Sequence, residues 1–518
     1  MVFVSTHLGE EPAVARANPS PTPHENDSKW ISIPGSERQY NRQLILFVVL
    51  IPLAMALFQV SSVNVALSSI AHSVHASPSQ LQWVLSGYAL ALGLSLVPAG
   101  RVGDIFGRAE VFVGGLILFS LFSTSCGLVH DPTLLNILRI FQGLAAGIYS
   151  PQVTGLIQQY FQGQARAKAF ALVGFAISVS VALGPLMTGA LITILGADNG
   201  WRASFIINLP LGIIGTIAAW RWLPFRTVSS RRHPNAATSR PKVDLDPFGM
   251  ALLSVSVVLL MLPFMLHNHP WRWWLLLVAT IGGVSWVLWE RAYARRGRAP
   301  VVDLGLFGLS SFSFNVGIAA LNFLGITSVF AIAAIYLQEG LGKSAMLAAL
   351  ICVPNAIAAA VASLWAGKHA ITHGPGLQAF AVSCITVGVF SAGMCALMVP
   401  HGWSPWTLSV GFAIQGFGQG SMASINQTQA MQDVPTIQGG VAGGVIQTVQ
   451  RISTAIGTAM MTGLFFTLIG DKSVATVDIW SHAAAISYST ITALMLCCTV
   501  LAVIYWLVGR RGVPAKQH

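Results

Sequence analysis

Three groups of residues in this chain have the types and spacing to do chemistry. The first is GRVGDIFGR, Gly100 to Arg108, where two glycines seven apart enclose an acid and flank two bases. Gly100 and Gly107 permit a tight turn and close helix approach, and Asp104, Arg101 and Arg108 can pair or cap helix ends. The second is Arg139, which stands in an apolar run just before Gln142 and Gly143. The third is a set of amides and aromatics in other apolar runs: Gln59, Asn64, Gln82, Trp83, Tyr88, Gln152, Asn315, Asn322, Gln415, Gln419 and Asn426. Such side chains hydrogen-bond a ligand or tie helices to one another. Enzyme chemistry finds little support. There is no H-E-x-x-H, no P-loop and no carboxylate pair inside an apolar run, so a catalytic cluster and an ATP-driven motor both lack their residues. None of the seventeen acids lies in the middle of an apolar run, and no histidine does. The six cysteines form no C-x-x-C pair and read as small buried residues. No metal and no cofactor is expected.

The elements that must position these residues are membrane helices. Of 518 residues, 54% are hydrophobic and 9% charged, against about 25% charged in a soluble domain. A protein core cannot cover that much apolar surface, so lipid is the solvent. Reading apolar runs of about 20 residues gives fourteen spans: 43–67, 81–100, 110–129, 133–154, 167–195, 203–223, 247–266, 271–289, 312–337, 345–366, 376–399, 404–425, 440–469 and 482–508. The fifth and thirteenth are long enough to tilt or to extend beyond the bilayer. Charge orients the chain. With the N-terminus inside, 22 of the 28 basic residues fall in cytoplasmic loops, span ends and tails, so both termini are expected in the cytoplasm. The same bias accounts for the net charge of +11 without a nucleic-acid partner. The expected organisation is a disordered tail at 1–42, a six-helix bundle at 43–223, linkers with two extra helices at 224–311, a second six-helix bundle at 312–508 and a short tail at 509–518.

Internal repetition supports two six-helix halves. GKHAITHG, Gly367 to Gly374, keeps the glycine spacing of the first loop, 267 residues later. Gln142-Gly143 with Gly147 recurs as Gln415-Gly416 with Gly420, 273 residues later. Repeats of this kind place a substrate site between the halves near the midplane.

GRVGDIFGR resembles the signature loop of the major facilitator superfamily, with Gly100, Asp104, Gly107 and Arg108 matching and Ile105 replacing a basic position. LRIFQG, Leu138 to Gly143, is similar to the family's fourth-helix motif. GFAISVSVALGPLMTG, Gly174 to Gly189, resembles its fifth-helix antiporter motif at Gly184, Pro185 and Gly189, with Ser180 and Thr188 in place of two glycines. WRASFIINLPLG, from Trp201, together with VNVAL, QWVLSGYAL, DLGLF and YLQEGLGKS, looks like the fourteen-helix drug:proton antiporter branch. The resemblance runs from the first span to the last. It implies an all-α fold of two six-helix bundles with two extra central helices. It implies a plasma-membrane exporter of small amphipathic compounds working by alternating access, as a monomer. The first loop would latch and gate the halves, and Arg139 with Gln142 and Gly143 would serve coupling or substrate response. Gly174, Gly184 and Gly189 are expected on one side of the fifth helix, with Pro185 as a weak point of its backbone ladder.

The chain departs from the branch at one position. Gln59 stands where the branch carries an acid in its first helix. A glutamine cannot titrate, so proton coupling would pass through a boundary acid such as Glu339 or Asp131 with Arg139, or be indirect or absent. Loss of the acid disfavours cationic substrates and favours uncharged or anionic ones, which Arg139 could face. Arg139 has a second reading, a side chain snorkelling to the headgroups, and the same reading is preferred for Arg451. The expected cavity surface includes Gln59, Asn64, Trp83, Tyr88, Gln152, Asn322, Gln415 and Asn426. Two other functions stay open: a non-transporting sensor on the same fold, for which Ile371 at the acid's place in the second loop copy speaks, and a polytopic membrane enzyme.

Overall fold

A computed structural model describes residues 29–32, 39–225, 244–266, 270–370, 373–470 and 475–511. The linker stretch 226–243, Ile371 and most of both tails lie outside them. A short antiparallel pair, β1 (Trp30–Ser32) with β2 (Gln39–Asn41), precedes the first helix. Thirteen of the fourteen apolar runs each fall on one helix, and the sixth, 203–223, is shared between two. The first half holds α1 (Arg42–Ser73), α2 (Pro78–Phe106), α3 (Arg108–Leu128), α4 (Pro132–Tyr160), α5 (Gly163–Ile206) and α6 (Asn208–Trp222). Next come α7 (Pro247–Met265) and α8 (Trp274–Arg295). The second half holds α9 (Ser310–Ile335), α10 (Ala345–His369), α11 (Gly374–Met398), α12 (Leu408–Ala430), α13 (Gly439–Ile469) and α14 (Val477–Arg511).

Among the described residues, eleven segments are long and apolar enough to cross a membrane, one of them running 163–222 through both α5 and α6. Helices α4 and α12 are too polar to count among them. The reason is their position. Gln142, Gln152 and Gln158 of α4 and Gln415, Asn426 and Gln429 of α12 are buried against other helices, where amides bond across helices instead of facing lipid.

The repetition seen in sequence is a packing device. A Cβ on Gly143 of α4 would stand 2.4 Å from the Tyr88 carbonyl of α2, and one on Gly147 2.8 Å from that of Leu92. In the second half a Cβ on Gly416 would stand 2.2 Å from the Asn355 carbonyl of α10, and one on Gly420 2.0 Å from that of Ala359. The fourth helix of each half thus lies backbone-close on the second, at the same offsets as the sequence copies. Helix α5 breaks at Gly196, whose φ of +81° suits glycine. The sixth run is divided at Ile207: 203–206 finish the stretch that follows Gly196, and α6 begins at Asn208. The extra helix α7 lies along α2 and α13, where Leu90, Val257 and Met261 cluster with Ile452 and Ala455. Ser254 Oγ donates to the Leu94 carbonyl at 3.0 Å, fixing α7 on α2.

Candidate functional site

Where α2 turns into α3, Gly107 takes φ +118° and lets Arg108 start the next helix at once. The turn grips the other half. Asp104 accepts the backbone N–H of Gly440 at 3.1 Å and of Val441 at 3.0 Å, at the start of α13. A carboxylate there also meets the positive end of the helix dipole. Arg108 completes the joint. Its Nε donates to Asp104 Oδ1 at 2.8 Å, and its terminal nitrogens donate to the Gly155 carbonyl at 2.7 Å and across to the Thr436 carbonyl at 2.5 Å. A Cβ on Gly100 would sit 2.5 Å from the Gly440 carbonyl oxygen, so this glycine permits the contact between halves. Arg101 takes no part in the grip. It donates to the carbonyls of Asp244 and Ala299, both at 3.1 Å, and ties the latch turn to the linkers on either side of α7 and α8.

The same face carries further bonds between halves. Gln158 donates to the carbonyls of Met431 and Val434 at 3.0 and 2.9 Å, and Arg166 to that of Met431 at 3.2 Å. Gln164 donates to the Lys368 carbonyl at 2.9 Å, and Ser363 to that of Ala171 at 2.7 Å. The second loop copy answers the first: a Cβ on Gly367 would collide with Ala171 of α5 at 2.2 Å. Each loop copy thus abuts the fifth helix of the opposite half. Ile371, at the acid's place in the second copy, lies outside the described residues.

Beyond this closed face a cavity of about 140 Å³ lies between the halves. Helices α1, α4 and α5 wall it on one side, and α9, α12 and α13 on the other. Three bonds between halves join its walls: Ser150 Oγ donates to Gln447 Oε1 at 2.6 Å, Gln447 Nε2 donates back to the Ser150 carbonyl at 3.4 Å, and Gln427 donates to Thr154 Oγ1 at 3.4 Å. Apolar walls come from Leu53, Leu57, Phe170, Ile177, Phe323 and Met422. Of the eight cavity residues expected from sequence, Asn322 and Asn426 line this space, as does Gln419. The other six do not. Gln59 is fully buried in the first half, accepting from Asn208 Nδ2 at 2.7 Å, and Asn208 also donates to Ser123. Asn64 and Trp83 are exposed. Tyr88 packs under Arg139. Gln152 donates to the Ala99 carbonyl at 2.7 Å and packs under Gly103 of the latch helix. Gln415 pairs with Asn355 inside the second half.

Arg139 is buried, with neither a snorkelling path nor a place on the cavity wall. Its Nε donates to the Val84 carbonyl at 2.9 Å, a terminal nitrogen donates to Gln142 Oε1 at 2.7 Å, and the guanidinium lies 4.3 Å from the Tyr88 ring centroid. These contacts bind α4 to α2 and distribute the charge over a carbonyl, an amide and a π face. Arg451, read from sequence as a snorkelling anchor, lines the cavity instead. The glycines of α5 do not share one side either. A Cβ on Gly174 would meet Ser363 of α10, one on Gly184 would meet Ser61 of α1, and one on Gly189 would meet nothing within 4 Å. Ten residues of helix turn through about 1000°, so Gly174 and Gly184 point some 80° apart.

Sequence reasoning missed Ser150, Thr154, Gln427, Gln447 and Gln450 on the cavity wall. A signal was present. Gln447, Gln450 and Arg451 stand at i, i+3 and i+4, one polar stripe on an apolar helix.

The comparisons with known proteins agree with this architecture. The family model described as Major Facilitator Superfamily matches residues 49–458. A protein of Streptomyces coelicolor named as a probable actinorhodin transporter is 31% identical over 491 residues, covering 92% of this chain and 81% of its own length. The tetracenomycin C resistance and export protein of Streptomyces glaucescens is 25% identical, covering 89% of this chain and 82% of its own. Among solved structures, the human organic anion transporter MFSD10 superposes with a TM-score of 0.62 over 89% of this chain and 99% of its own, at 13% identity, a likeness of fold alone.

Proposed function

This chain belongs to the major facilitator superfamily, and from that premise we propose that it exports small amphipathic compounds across the cytoplasmic membrane by alternating access. It is a multi-pass membrane transporter of a small molecule and not an enzyme. The observation that carries the finer reading is the joint of Asp104 and Arg108 with Thr436, Gly440 and Val441, set beside a cavity between the halves. A joint made of a few hydrogen bonds, with glycines at the contact, can open without unfolding either half.

In this proposal all fourteen helices cross the bilayer and both termini are cytoplasmic, as the bias of basic residues supports. The latch face is then the cytoplasmic one, and the conformation described is sealed towards the cytoplasm. The halves are 43–223 and 312–508, joined through the linkers and extra helices of 224–311, and one copy of the chain suffices for transport. Resistance and export by the tetracenomycin C relative support the outward direction. Coupling to protons has no support from Gln59, which cannot titrate and whose amide oxygen accepts from Asn208.

The test is flux. Inside-out vesicles containing the chain are offered a panel of small amphipathic dyes with and without an imposed pH gradient. Uptake of at least one dye, reduced by Gly100→Leu, is expected. A panel that shows no uptake above empty vesicles overturns the export reading.

A further inference from the structure

The central cavity is lined by a cation that no acid among its described lining residues neutralises. Arg451 lines it from α13, one turn beyond Gln447 and its bond to Ser150. Its Nε is buried without a hydrogen-bond partner. Gly93 of α2 faces Arg451, and a Cβ there would stand at ordinary contact distance, 3.9 Å, from Arg451 Cβ. Among the residues lining the cavity there is no Asp and no Glu. Two further polar atoms on its walls are also buried and unpartnered, Asn322 Oδ1 on α9 and Gln419 Oε1 on α12. Asn322 is 1% exposed, so bulk water does not satisfy it. Arg451 is half-buried, and a charge set between helices with its Nε unpaired and no acid beside it destabilises the protein unless something pairs with it. Arg139 shows how this chain satisfies a buried arginine that serves packing, with a carbonyl, an amide and a ring around it. Arg451 has been given no such set. Apolar wall faces Arg451 from the opposite half through Phe170 and continues on its own side through Phe323 of α9.

We infer that Arg451 is the substrate-recognition residue of the central cavity, and that the substrates are small compounds with an apolar body and an anionic oxygen, a carboxylate or a phenolate. The inference rests on the export reading for its location and goes further in naming the charge of the cargo. The anionic oxygen takes the donors of Arg451, a neighbouring donor of the substrate meets the oxygens of Asn322 and Gln419, and the apolar body lies against the aromatic walls. A cationic amphiphile would leave Arg451 unpaired and add a like charge beside it.

The experiment compares two probes of one shape, 2-naphthoate and 2-naphthylmethylammonium, by equilibrium dialysis against the full chain in lipid nanodiscs. Binding is read without any gradient, so a failure of transport in vesicles leaves this result untouched. Naphthoate is expected to bind and the ammonium probe to bind at least about thirtyfold more weakly, the loss typical of a buried charge left unpaired. Arg451→Gln should weaken naphthoate by a similar factor, and Arg451→Lys should restore most of it. Gln419→Glu keeps Arg451 and supplies an internal counter-charge, so it should abolish the preference for naphthoate. This variant keeps the test valid if Arg451→Gln fails to fold. The inference is overturned if the ammonium probe binds as well as naphthoate, if naphthoate does not bind, or if naphthoate binding is indifferent to both Arg451→Gln and Gln419→Glu.

Discussion

Arg139 and Arg451 are both arginines within apolar helices, and their surroundings separate them. Arg139 is held by Val84, Gln142 and Tyr88, whereas Arg451 stands on the cavity wall with its Nε unpartnered. Arg139→Leu is therefore expected to loosen α4 from α2, lowering the unfolding midpoint while leaving the charge preference of bound probes intact. Thermal unfolding in detergent and the naphthoate comparison check the two halves of that statement. Gln59 belongs with Arg139. Gln59→Leu takes one acceptor from the Asn208 amide, which keeps Ser123 and the Phe205 carbonyl, a loss of about 0.5–1.5 kcal/mol for one hydrogen bond. It should lower stability and leave the pH dependence of transport where it was. A pH profile flattened by Gln59→Leu would give Gln59 a part in coupling that its hydrogen bonds do not suggest. Among single residues the latch was the most legible in sequence, because Gly100, Asp104, Gly107 and Arg108 lie within nine positions. The cavity was not, because its residues come from six helices and only their stripes on each helix mark them.

At the scale of the helix the glycines set which faces touch. Helices α4 and α12 lie on α2 and α10 at backbone contact through Gly143, Gly147, Gly416 and Gly420. Close approach of this kind replaces the hydrophobic drive that lipid removes. Gly143→Val and Gly416→Val should each destabilise the fold, since their Cβ atoms would stand within 2.4 Å of a carbonyl oxygen. Gly189→Ala should fall within about 0.5 kcal/mol of the parent, as substitutions in open positions do. A Gly189→Ala loss as large as that of Gly143→Val would contradict the packing described. The repeat in sequence pointed to these contacts. It did not reveal that Gly174 and Gly184 serve different neighbours, because a helix turning 100° per residue separates faces that a linear motif joins.

For the molecule as a whole, the bonds between halves described here gather at the latch face and in the cavity just beyond it. Replacing Arg108 by Ala removes donors to Asp104, Gly155 and Thr436. Of these the Thr436 bond crosses between the halves, and a charge-assisted bond contributes about 1.5–3 kcal/mol, so the closed-to-open ratio should fall by about tenfold or more. Distances between spin labels at positions 164 and 368 would report it, with no change in the distribution counting against the latch. The proposed orientation has its own check. In a cysteine-free background, a membrane-impermeant maleimide added to intact cells should label Asp131→Cys and spare Lys168→Cys, and the reverse pattern would invert the topology. What the sequence determined by itself was the solvent, the family and the Gly100 to Arg108 turn motif, because apolar run length and a short contiguous motif are local properties of the chain. What only the tertiary structure decided was the use of each buried polar residue. Gln59, Arg139 and Gln152 read as cavity or coupling groups by composition and turned out to be bound within the first half. Arg451 read as an anchor and turned out to face the space between the halves. Depth in an apolar run tells how costly a polar side chain is, but only packing tells which neighbour offsets that cost, and whether one does.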